Sequence, residues 1–184
     1  MQADVERILS YWLDEVGPDG WYQSSEAADL RIRSDFLDLW QQGADGELDH
    51  WITSTDGALA LLILLDQFPR NMFRGDADAF RSDPAALRLA KQAISRGHDR
   101  KTAEPQRQFF YLPLMHSEKL ADQERCVRML MLGMPECGGE NIEHAVKHRE
   151  VIRKFGRFPS RNAALGRTDS DAELAYRAEG GYMS

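Results

Sequence analysis

Three short stretches of this chain gather side chains able to bind charge or move protons. The first is Leu65-Asp66-Gln67-Phe68-Pro69-Arg70-Asn71-Met72-Phe73-Arg74-Gly75, where acid, amide and guanidinium groups directly follow an apolar run. Polar groups so close to a core must find partners, and an arginine fork matches a carboxylate or phosphate. Asp66, Gln67, Arg70, Asn71 and Arg74 are therefore candidate ligand-binding residues. The plainer alternative is that Asp66 pairs with an arginine and Asn71 caps the loop. The second stretch runs from Phe109 to Glu118 and ends in Met115-His116-Ser117-Glu118. Here His116 and Glu118 are the candidate acid–base pair, because an imidazole titrates near neutrality and a neighbouring carboxylate tunes it. The third, Lys147 to Arg167, carries seven basic side chains against one acid, Glu150. Such a local positive region on an acidic chain would attract an anion, with Arg157, Arg161 and Asn162 as binding candidates.

Other chemistries lack their residues. No serine or cysteine sits in a nucleophile elbow, and no Walker loop or dinucleotide-binding glycine pattern occurs. His144 and His148 stand four apart on an expected helix, so both could face one metal ion. No His-Glu-x-x-His pattern or cysteine pair supports them, and no metal is assigned. No cofactor is indicated.

The elements that must position these groups read as helices throughout. Val5, Ile8, Leu9, Trp12, Leu13 and Val16 make one helical face that Gly17-Pro18 stops. A second helix, capped around Ser24-Ser25, carries Ile32, Phe36, Leu39 and Trp40 to Gly43. A short turn follows at Leu48, Trp51 and Ile52. Ala58 to Leu65 is apolar on every side, which predicts a fully buried helix that Pro69 breaks. Asp83-Pro84 opens a helix ending at Gly97, and another begins near Pro105 and is interrupted at Pro113. Helices then follow from Ser117-Glu118 to Gly133, and from Gly138-Gly139 to a C-cap at Gly156. Ser170-x-x-Glu173 is a capping box for a last short helix. Alternating strand patterns are absent. The expectation is an all-α chain of about eight helices, one domain over residues 1–184.

Composition excludes several classes. With 184 residues, 42% hydrophobic and 29% charged, the chain can bury a core. A net charge of −7 argues against nucleic-acid or membrane-surface binding. The N-terminal residues predict no secretory signal, and the longest apolar run, eight residues, is far too short for a membrane span. Cys126 and Cys137 read as free thiols in a reducing, cytoplasmic compartment.

Three motifs together carry a resemblance: Leu64-Leu65-Asp66-Gln67-Phe68-Pro69-Arg70-Asn71, Leu112-Pro113-Leu114-Met115-His116-Ser117-Glu118 and Phe155-Gly156-Arg157-Phe158-Pro159. They resemble the bacterial family known as domain of unknown function 924, over nearly the whole chain. The resemblance implies a helical array similar to tetratricopeptide-repeat superhelices and brings no reaction with it. The family usually has histidine where this chain has Ser160. Two functions follow as expectations. One is a site for a small anionic molecule, an enzyme if His116 and Glu118 act on the ligand. The other is a helical interaction module that takes a peptide or partner helix in a groove.

Overall fold

The computed structural model describes residues 1–23 and 25–182, all-α, with no strand among them. The main helices are α1 (Gln2–Leu9), α2 (Glu26–Ala44), α3 (Thr55–Leu62), α4 (Asp83–Ser95), α5 (Leu120–Gly133), α6 (Gly139–Phe155) and α7 (Asp171–Ala178). Shorter helical segments of three to seven residues join them. Among the described residues, no helix is long and apolar enough to cross a membrane.

Local signals fix most boundaries. Ser25 caps α2 by accepting from the Ala28 amide, while Ser24 lies outside the described residues. Gly156, at φ 70°, closes α6 in the left-handed conformation that costs glycine little. The Ser170–Glu173 box forms as the spacing predicts.

Pro69 does not break the helix as expected. After α3 the backbone widens into a π-helical turn, Ile63–Gln67, and continues as Phe68–Met72 with Pro69 in its first turn. Proline has no amide hydrogen to offer the Leu65 carbonyl. That carbonyl accepts instead from Ser82 Oγ at 2.6 Å, and Ser82 in turn accepts from Trp40 Nε1 at 3.0 Å. The next carbonyl, that of Asp66, accepts from Arg70 Nη1. The helix survives its proline because the distant Ser82 and the adjacent Arg70 satisfy carbonyls with their side chains.

Around this segment lies an aromatic core. Phe68 is fully buried and its ring sits 4.8 Å from Phe36 and 5.5 Å from Trp12. Trp12, Trp40 and Trp51 are all buried, as their helical spacing implied. Helix α2 packs on Phe68–Met72, α3 on α1 and α4, and α6 on α5. The wide turn, the turn Leu112–Met115 and helix α6 thereby converge on one cleft.

Candidate functional site

Asp66 sits on the wide turn, 1% exposed. Its Oδ1 lies 2.8 Å from Nδ1 of His116, and its Oδ2 accepts from Gln67 Nε2 at 2.6 Å. Burial alone would raise the Asp66 carboxyl. The Arg70 guanidinium, the hydrogen bonds from His116 and Gln67, and the charge His116 carries when protonated reverse this and hold it below the usual carboxylate range. An ionised carboxylate only accepts, so the His116 proton stands on Nδ1 and Nε2 keeps its lone pair. Burial, then the Arg70 guanidinium, lowers the His116 pKa, and Asp66 only partly restores it. The lowered pKa favours the neutral ring at pH 7.

His148, on α6, is arranged in the same way. Its Nδ1 lies 2.8 Å from the His144 carbonyl, which can only accept, so Nε2 is again the acceptor. Burial, then the charge of His116 when protonated, pushes its pKa down to about 3; the hydrogen bond to the His144 carbonyl opposes this, and the Arg161 and His144 charges add to it. The two rings stand 6.4 Å apart, centroid to centroid.

Three arginines surround this pair. Arg70 gives Nη2 to both oxygens of Asp83, at 3.0 and 3.2 Å. Arg161, 8% exposed, gives Nη1 to Asp83 at 3.1 Å and Nη2 to the His116 carbonyl at 3.0 Å. The rings of Phe80 and Phe158 each lie 4.6 Å from its guanidinium carbon. Arg74 grips Asp29 through Nε and Nη2, at 2.9 and 3.0 Å, and Asn71 donates to the same carboxylate at 2.8 Å.

These groups border a cavity of about 610 Å³. Gln67, Arg70, Asn71, Arg74, His116 and His148 line one side of it, and Trp21, Tyr22, Gln108, Asn141 and His144 contribute elsewhere. Asn141 Nδ2 donates to Gln108 Oε1 at 3.0 Å, and the Tyr22 hydroxyl bonds the same oxygen. A smaller cavity of about 330 Å³ shares Arg70, Arg74, His116 and His148 with it, and adds Arg161 and Phe80.

Not every sequence candidate reaches this place. Arg157 clamps Glu173 with two 2.7 Å bonds and the Thr168 carbonyl with a third. Glu118 accepts from Arg167 at 2.8 and 3.0 Å and from the Phe158 amide at 2.9 Å. Asn162 donates to Asp169 at 2.6 Å. All three tie the last helix and its loop to the body, and none lines either cavity. The geometry therefore gives His116 a different acidic partner from the expected Glu118, namely Asp66. Sequence reasoning passed over Asp29 and Asp83, the counter-ions that hold the arginines. Asp83 had a local signal only as a helix start. His144 and His148 do share a helix face, but among the described residues no group of three or more His, Cys, Asp or Glu is placed to hold a metal.

The chain matches the model of the family described as "Bacterial protein of unknown function (DUF924)" over residues 8–181. It belongs to that family. A solved structure of a protein of unknown function from Agrobacterium tumefaciens is 41% identical, with a TM-score of 0.90, covering 97% of this chain and 99% of that one. No curated protein matches. In this DUF924 chain the first two resemblance motifs thus meet at the larger cavity; no residue of the third, Phe155 to Pro159, lines either cavity, while Arg161 just beyond it lines the smaller one.

The two buried histidines make stability depend on pH. An unfolded histidine titrates near 6.5, while folded His148 takes a proton only near pH 3. Between these values the unfolded chain binds more protons, so stability falls as pH falls. From pH 7 to pH 5 His148 alone removes about 2 kcal/mol. Urea melts at the two pH values should show this loss, and His148→Gln should flatten it. An unchanged slope in the variant would contradict the buried neutral ring.

Proposed function

We propose that this protein binds a small anionic molecule in the larger cavity, where His116 Nε2 accepts a proton from the ligand or from a water beside it. One observation carries the reading: a buried carboxylate fixes the proton of a neutral imidazole on the far nitrogen, at the wall of a concave site. On accepting a proton at Nε2, His116 becomes an imidazolium that Asp66 stabilises across the 2.8 Å bond. Arg70 and Arg74 supply the attraction for an anion, and the amides of Gln67, Asn71 and Asn141 supply directional contacts. A hydrogen-bond network that served only to hold the helices would not need to leave two imidazole acceptors on one cavity wall. The free thiols Cys126 and Cys137 support a reducing, cytoplasmic setting.

The test is thermal unfolding against a panel of anionic metabolites, with His116→Asn in parallel. A ligand at 100 times its Kd adds about 2.7 kcal/mol, several degrees in the midpoint. The expected result is a compound that raises the midpoint of the wild type and not of the folded variant. A panel without effect, or an equal rise in both proteins, overturns the proposal.

A further inference from the structure

The smaller cavity differs from the larger in its chemistry. The guanidiniums of Arg70, Arg74 and Arg161 line it with both imidazoles, and no acidic side chain is among its lining residues. Glu140, by contrast, lines the larger cavity. The carboxylates that hold these arginines, Asp29, Asp66 and Asp83, form no part of the lining.

We propose that this cavity is the phosphate subsite of a phosphorylated ligand whose uncharged body fills the larger cavity. The inference rests on the binding reading above and specifies the ligand's charged end. Three guanidiniums exceed what a single carboxylate needs and suit the oxygens of a dianion. In the contacts described, Arg74 engages Asp29 without Nη1, and Arg70 and Arg161 engage Asp83 without Nε, so each guanidinium has a further N–H direction to offer. The carboxylates hold the arginines in place beforehand, which lowers the entropy cost of ordering them around an anion. Phe80 and Phe158 stack on Arg161 and keep its fork fixed. Because His116 and His148 line both cavities, the two residues stand where the two parts of such a ligand join. The larger cavity's amide groups fit the hydroxyl-bearing or heterocyclic body of a phosphorylated metabolite.

Isothermal titration with inorganic phosphate tests the subsite, with chloride and sulfate at matched ionic strength as separate arms. The expected result is saturable phosphate binding that chloride does not reproduce, weakened about tenfold or more by Arg74→Gln. This variant is chosen because Arg74 is half-exposed and outside the Asp83 network, so the fold keeps its polar core. Ala79→Leu, which fills the smaller cavity from its wall, should abolish phosphate binding as well. A response no larger than that to chloride overturns the subsite, as does full-strength binding by Arg74→Gln. Sulfate binding as tightly as phosphate would overturn the assignment to phosphate. If phosphate fails while a panel compound still depends on His116, the subsite falls and the larger-cavity reading stands.

Discussion

Asp83→Ala should cost about 3–5 kcal/mol of folding stability, far more than loss of an ordinary ion pair. Asp83 is the shared counter-ion of Arg70 and Arg161, accepting from both at 3.0 to 3.2 Å. Arg161 is nearly inaccessible, and burial pulls its pKa down to about 10, so near neutral pH it stays charged. Removing its carboxylate therefore leaves a largely buried cation without its counter-ion. The exposed pair Arg81–Asp45 provides the comparison. There Asp45→Ala should cost less than about 1 kcal/mol, because solvent screens both groups already. Chemical denaturation of the two variants decides the matter; equal losses would mean the Asp83 network carries no special weight.

The second large effect is expected at Asp66→Asn. Asp66 accepts from two donors, His116 at one oxygen and Gln67 at the other. An asparagine can accept at only one of these positions, so its amide nitrogen must face a donor. If it faces His116, the ring has to move its proton to Nε2, and the cavity loses an acceptor. Opposed buried donors cost about 1–3 kcal/mol. The charge also disappears: Asp66 raises the His116 pKa, so the variant's ring should titrate at still lower pH than the wild type's. NMR titration of the histidine ring signals checks the direction; a rise on losing Asp66 would contradict it.

How much of this could be read from the chain depends on whether the cause was local. Helix ends written in adjacent residues were legible: the Ser170–Glu173 box, Gly156 and the apolar run into Leu65 all form as the pattern demands. The family was legible from its motifs. Pro69 was misread because the hydroxyl that satisfies the Leu65 carbonyl belongs to Ser82, seventeen residues away. The same limit applied to the site. Gln67, Arg70, Asn71 and Arg74 reach the cavity together because one helical segment and the turn after it present them. Arg157, Glu118 and Asn162 look alike in sequence, yet each is taken by a charged or polar neighbour, and nothing in their spacing announced Glu173, Arg167 or Asp169 as partners. His116 was recognised as a proton carrier, but its acid was sought two residues away rather than fifty. Pairings of that range are set by how helices pack, and a single sequence holds no pattern for them.

On the proposed function, His116 presents a neutral Nε2 acceptor to the cavity because Asp66 holds the proton on Nδ1. Long-range proton–nitrogen correlation NMR on the ¹⁵N-histidine-labelled protein at pH 7 reads this state directly. One protonated and one unprotonated nitrogen are expected for His116, with the proton on Nδ1. A ring protonated on Nε2 alone, or on both nitrogens, would contradict it.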